Sequence, residues 1–308
     1  MLAAGVQELA GAVETIDLPD PRPLAGDEVL IEVRAAGVAN WDELVRTGQW
    51  DVGRIPPMAL GVAAAGVIAA VGEAVANWKE GDEVLTHPLP LRDQGTWAPY
   101  LIAPAALLAR KPDAVSWDVA GAFPVPALTA AQAIDEALGI QADDVVLVHG
   151  GGGVTGGVLV SLAVVRGAEV IATAGPANHE RLSRLGASHV LDYHDPGWPE
   201  EARALGGPSG VSAAVNAAPG GSADSICTVR DGGRLATITL DPPSEERGIA
   251  ISSVIVRADG PTLGAMAELL AAGKLDICVT ATHPLEDAAS ALARAVGGGG
   301  GGAVALRP

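Results

Sequence analysis

The stretch "VVLVHGGGGVTGGVLVSLAVV", residues 145–165, constrains this chain more than any other. It contains no Asp, Glu, Lys or Arg. Its length matches the roughly 20 apolar residues that cross a bilayer. Its interior argues against a span. Gly150 to Gly153 run consecutively, and Gly156 and Gly157 follow. Glycine runs favour turns over continuous helix. Asp143 and Asp144 precede the stretch and Arg166 follows it, with no aromatic belt and no basic cluster. It reads as a strand, a tight turn and a helix.

The surroundings agree. Between residues 28 and 110 short apolar runs alternate with Gly, Pro and Asp. "EVLIEVRAAGV", "GVIAAVG", "DEVLTHPL" and "YLIAPAALLA" read as strands of a β-rich unit. After Trp117 the texture changes, and "VPALTAAQAIDEALG" has helical spacing. Strands then alternate with helices: "DVVLVHG", "AEVIATAG", "SHVLDY", "VSAAVNAA" and "GRLATITL" against "TGGVLVSLAVVRG" and "NHERLSRLGA". This alternation predicts an α/β fold with a doubly wound parallel sheet. Near the end, "PTLGAMAELLAAGKL" and "PLEDAASALARAV" read as helices. "ICVTATHPL" and "AVALRP" read as strands able to return to the first unit. Gly297 to Gly302 reads as a flexible turn.

Composition narrows the partners. The 308 residues are 49% hydrophobic and 18% charged, which predicts a core-forming globular chain. Aromatics are only 3%, so Ala, Val, Leu and Ile must fill the core. A net charge of −18 repels phosphate backbones, so neither nucleic acid nor an anionic membrane is expected as a partner. Cys227 and Cys278 form no metal or disulfide pattern. "MLAAGVQELAG" has no basic leader character. A cytoplasmic location is expected.

Gly150, Gly153 and Gly156 give a GxxGxxG spacing between a strand and a helix. The first lets the chain turn, the second lets backbone approach a pyrophosphate, and the third lets helix and strand pack closely. The helix start supplies free N–H groups and a positive dipole end. Val154 and Thr155 lie in that start. The reading is a dinucleotide site; the bland alternative is a glycine-rich turn without a ligand. NAD-preferring sites usually carry a carboxylate about 20 residues past the first glycine, on the ribose hydroxyl. Here the second strand ends in Ala174, and Asn178, His179 and Arg181 follow. NADP(H) is therefore favoured, although His179 and Arg181 also suit a solvated helix face.

The motifs "GTWAPYLIAP", "ALTAAQAI", "VHGGGGVTGG", "LGASHVLDY", "GGRLATI" and "AAGKLDICVTATHPLEDAASA" occur in order. In them the chain resembles a medium-chain dehydrogenase/reductase of the zinc-independent quinone oxidoreductase branch. The resemblance implies a GroES-like catalytic domain at 1–122 and 259–308, with a Rossmann domain at 123–258. It also implies a homodimer.

Zinc members carry GHExxGxxxxxGxxV, and here "GVAAAGVIAAVGEAV" keeps the glycines. The His position is Val62 and the Glu position is Ala63. The other two ligand positions hold Ala39 and Val125. None of these side chains binds a metal, so no metal is expected. Without a Lewis acid, alcohol oxidation is difficult. A quinone or α,β-unsaturated carbonyl needs less help, because conjugation makes it electrophilic. The resemblance implies a small-molecule substrate of that class, reduced by NADPH in the cleft between the domains. Its substrate-side candidates are Asn40, Trp41 and Trp50. On the cofactor side it adds Thr129 at the nicotinamide end, Tyr193 near the adenosine phosphate, and Asn216. Ordinary packing is the alternative for both Trp residues. Two further readings remain: a crystallin-like or sensor protein that binds dinucleotide without turnover, and an enoyl reductase of secondary metabolism.

Overall fold

In the computed structural model, which describes residues 1–308, the chain divides into two units. One comprises Met1–Leu128, Arg257–Ala271 and Ile277–Pro308, and the other Thr129–Val256 and Ala272–Asp276.

The first unit begins with β1 (Leu2–Val6), β2 (Glu14–Asp17), β3 (Glu28–Val38), α1 (Asn40–Arg46) and β4 (Met58–Ala59). It continues with β5 (Ala64–Val71), β6 (Glu83–Thr86), β7 (Tyr100–Pro104), β8 (Leu108–Arg110) and α2 (Trp117–Ala122). The predicted strand over residues 100–109 is in fact two, because a 3-10 turn at Ala105–Leu107 separates β7 from β8. That break sends them to different partners: β7 pairs β3, and β8 pairs β6. β3 is the centre, long enough to pair antiparallel with β5 and β7 as well as with the last strand of the chain. α2 packs on it backbone to backbone, since a Cβ on Gly121 would stand 2.7 Å from the Ala35 carbonyl oxygen.

α3 (Pro124–Ala131) leads into the second unit and continues as a π-helical turn at Gln132–Ala137, where unbroken α-helix was expected. Then follow β9 (Val145–His149), α4 (Val154–Val165), β10 (Glu169–Thr173), α5 (His179–Arg184) and β11 (His189–Leu191). After them come α6 (Trp198–Leu205), β12 (Val211–Asn216), α7 (Ser222–Thr228), β13 (Val229–Thr237) and β14 (Ala250–Ser253). The sheet order is β11-β10-β9-β12-β13-β14, and every pairing is parallel. Strands step one way from β9 and the other way from β12, so the switch point lies between them. Ligands of such sheets bind outside the strand ends at that point. β9 and β12 are buried on both faces, as this architecture requires.

The chain ends with α8 (Gly260–Ala271), β15 (Val279–Pro284), α9 (Ala288–Val296) and β16 (Ala303–Arg307). β16 pairs antiparallel with β3 and parallel with β15, so the last strands return to a sheet of the first unit, as the sequence suggested. The stretch at 145–165 is β9, a turn and α4, and no helix of the protein is long and apolar enough to cross a membrane.

Candidate functional site

The chain leaves β9 and turns at Gly150, whose φ is +83°. A Cβ there would lie 2.9 Å from the backbone of Ala217 and Ala218. At Gly156 a Cβ would stand 2.1 Å from the Gly150 carbonyl oxygen, so helix and turn touch through their backbones. Gly153 behaves differently. It precedes α4 with extended backbone, is exposed, and makes no side-chain cap bond. A Cβ there would meet only the Gly150 oxygen, at 3.6 Å. The N–H groups of Val154, Thr155 and Gly156 follow at the first turn of α4, where a helix lacks internal acceptors. Together they form a cradle of donors beside open space, suited to a pyrophosphate.

Two residues outside the sequence expectation brace this turn. His149 Nδ1 lies 2.6 Å from Thr173 Oγ1, and the Gly150 N–H donates to the same hydroxyl at 3.0 Å. The His149 ring stacks on Trp198 with centroids 4.6 Å apart. Burial lowers the His149 pKa, while Asp224 and Asp241 pull it back up. The signal in the sequence was positional: His149 directly precedes the first glycine, and Thr173 ends the neighbouring strand.

At the tip of β10, the Ala174 carbonyl accepts from His179 Nε2 at 3.0 Å. Arg181 Nη2 donates to the Gly152 carbonyl at 2.7 Å, and its Nε is buried without a partner. Its guanidinium lies close against Gly157, where a Cβ would be 2.9 Å from Nη1. Arg181 therefore holds the glycine turn. The Asn178 amide stands 3.2 Å from where a Gly152 Cβ would be. Tyr193 lies against His194, ring centroids 4.1 Å apart, and both rings flank Gly175. His194, which sequence reasoning passed over, sits with its Nδ1 2.6 Å from Asp192 Oδ1. Asn178, His179, Arg181 and Tyr193 are thus gathered around the turn and the β10 tip. Asn216 ends β12 fully buried, and Thr129 is buried within α3.

In the first unit Asn40 opens α1 and is exposed; Trp41 and Trp50 are half-buried. Trp50 meets His87, ring centroids 6.2 Å apart. His87 Nδ1 lies 2.6 Å from the Val62 carbonyl, which can only accept, so that nitrogen carries the proton. Its Nε2 is buried without a partner, and burial pushes its pKa down to about 4. Around the same segment Thr96 Oγ1 donates to the Ala63 carbonyl at 3.0 Å. Trp97 Nε1 donates to the Gly37 carbonyl at 2.9 Å. Nowhere are three or more His, Cys, Asp or Glu side chains grouped so as to hold a metal.

Asp42 is fully buried in α1. Its Oδ2 accepts the Ala39 N–H at 2.8 Å, while Oδ1 has no partner. Burial pushes its pKa up to about 8, from 3.8 in the unfolded chain. The folded state thus keeps a proton that the unfolded state releases. Stability is fully present below the unfolded pKa and is lost as pH rises through the folded one. Asp42→Asn keeps the acceptor and removes the titration. Between about pH 5 and pH 8, wild type should lose about 4 kcal/mol relative to Asp42→Asn in denaturant melts. Parallel pH profiles would refute the assignment.

Comparison with known proteins gives two family matches along the chain, the second running across parts of both units. Residues 25–113 match the family model of the alcohol dehydrogenase GroES-like domain, and residues 185–306 that of the zinc-binding dehydrogenase domain. The chain is 37% identical over 229 residues to an erythronolide synthase of Saccharopolyspora erythraea, covering 71% of this chain and only 6% of that one. It is 29% identical to a chloroplast envelope quinone oxidoreductase homolog of Arabidopsis thaliana, covering 97% and 95% of the two chains. Among solved structures, an NAD-dependent alcohol dehydrogenase superposes with a TM-score of 0.88 at 30% identity, each chain covered completely. A mycobacterial protein solved in complex with NADPH superposes with a TM-score of 0.84 at 28% identity, again over both whole chains. A dinucleotide-binding second unit, a GroES-like first unit and these likenesses place the chain in the medium-chain dehydrogenase/reductase superfamily, in its quinone-oxidoreductase branch.

Proposed function

We infer that the protein is an NADPH-dependent reductase that delivers hydride to a quinone or an α,β-unsaturated carbonyl without a metal. One observation carries the reading. The donor cradle at Gly153–Gly156 is intact, while Ala39, Val62 and Val125 stand where zinc-binding relatives hold their metal. A bound nicotinamide supplies the hydride. The chain's own task is to hold the cofactor, exclude water and donate hydrogen bonds to the oxygen that becomes negative. Asn40, Trp41 and Trp50 are the substrate-side residues of this reading, and water supplies the final proton.

The absence of a carboxylate at Thr173–Ala174 supports NADPH over NADH, and so does the grouping of Asn178, His179 and Arg181 beside that tip. The structural neighbours include one that is NAD-dependent and one bound to NADPH. Calorimetric titration should give NADPH about tenfold tighter binding than NADH. Equal affinities, or tighter NADH, would refute the preference. Purified protein should contain no stoichiometric zinc, and chelators should leave turnover unchanged; one tightly bound zinc per chain would overturn this.

Asn40→Ala should lower turnover on quinones or enones by about 100-fold, as loss of a donor to developing negative charge does, with NADPH affinity nearly intact. Full activity would remove Asn40 from the site. The second reading is an enoyl reductase of secondary metabolism, favoured by the likeness to the CurK enoyl reductase, with a TM-score of 0.86 at 25% identity over 99% of this chain. Turnover of enoyl thioesters with none of quinones would select it.

A further inference from the structure

Beyond the glycine turn, the strongest unassigned feature is a polar cluster at the carboxyl ends of β12 and β13. Asp241 Oδ1 accepts from Ser222 Oγ at 2.9 Å and from Thr237 Oγ1 at 2.9 Å. Thr239 Oγ1 also donates to it, and Asn216 Nδ2 approaches at 3.3 Å. Asn216 is itself tied to Ser222 and Thr239, at 2.8 Å each. Oδ2 takes none of these bonds. Asp241 is half-buried, while Asn216, Ser222 and Thr237 are fully buried. The backbone bends sharply to achieve this. Leu240, immediately before Asp241, is exposed and adopts φ +60°, a left-handed conformation that is costly for a branched side chain. The carboxylate is stabilised as an anion: the hydrogen bonds outweigh burial and hold its pKa below the usual value. Its field reaches the turn, because it pulls the His149 pKa upward.

The position gives this anion a use. The glycine turn lies at β9, on the switch point of the sheet. His179 and Tyr193 lie on the β10 and β11 side of it. A dinucleotide whose pyrophosphate sits at the switch point extends its other half over the ends of β12 and β13. A nicotinamide is neutral when reduced and cationic when oxidised. We propose that Asp241 is a positioning residue that, through its fixed negative charge, makes this site hold the oxidised nicotinamide dinucleotide more tightly than the reduced one. The inference rests on the dinucleotide reading above. It also implies that the chain stabilises the positive charge that appears on the ring as hydride leaves.

The test compares affinities for NADP⁺ and NADPH in wild type and in Asp241→Asn. Asparagine keeps the shape and removes the charge. NADP⁺ affinity should fall about tenfold in the variant, the scale of a lost charge interaction in a partly buried site. NADPH affinity should change by less than about twofold. A merely structural role would move both affinities together, and that outcome would overturn the proposal. So would no change in either. Thr239→Val removes a donor and keeps the charge, so it should preserve the wild-type ratio; a ratio shifted as far as in Asp241→Asn would count against the charge. Asp241→Ser gives the same reading if the asparagine variant does not fold. If wild type binds neither form, the cofactor reading itself fails, which is distinct from an unshifted ratio.

Discussion

Gly156→Val should abolish dinucleotide binding and destabilise the second unit at once. A Cβ at this position would stand 2.1 Å from the Gly150 carbonyl oxygen and 2.9 Å from Gly151 Cα. Both are backbone atoms, so no rotamer change relieves the clash. Pushing α4 away from the turn disturbs β9, which is central in the sheet and buried on both faces. Overpacking of this kind typically costs about 1–3 kcal/mol, and the backbone contact puts this case at the upper end. Chemical denaturation should show the earlier midpoint. Titration with NADPH should show affinity reduced by at least about 100-fold. A variant with native stability and native affinity would contradict the packing of the turn.

Gly153→Val separates the two effects. Only the Gly150 oxygen, at 3.6 Å, lies near a Cβ there, and the residue is exposed with extended backbone that valine readily adopts. Folding should be unaffected, with a denaturation midpoint close to wild type. The side chain would instead occupy the space in front of the N–H groups of Val154, Thr155 and Gly156. NADPH affinity should fall by about 100-fold, equivalent to roughly 2.7 kcal/mol. A variant that binds NADPH normally would show that the pyrophosphate is not held there. A matching loss of stability would contradict the distinct roles given to Gly153 and Gly156.

Much of this was legible in the sequence because its physics is local. A strand, a glycine turn and a helix are written in consecutive residues, and the turn glycines at 150 and 156 have the roles their spacing implies. The return of the last strands to the first unit was readable from their apolar pattern. Other features depend on contacts made across the fold. In "YLIAPAALLA" only Pro104 marks the 3-10 turn, and nothing local shows that it hands β7 and β8 to different partners. α1 was not read as a helix, because it is only seven residues long and Asn40 is its first helical residue and not its cap. It uses Ala39, whose N–H is held by Asp42 three residues on. Arg181 illustrates a third limit. Its charge suggested a phosphate partner; its guanidinium also binds the Gly152 carbonyl, a contact that sequence spacing does not reveal. The bracing of the turn by His149 and Thr173, and the Asp241 cluster, likewise join strands separated in the chain.

The most direct test of the proposed reaction is cofactor oxidation by purified, chelator-treated protein over a panel of quinones, enones and primary alcohols. NADPH should be consumed with at least one quinone or enone, in stoichiometric amount with reduced product, and ethanol-like alcohols with NADP⁺ should give little turnover. Rapid, zinc-dependent oxidation of primary alcohols, with no reduction of any quinone or enone, would contradict it.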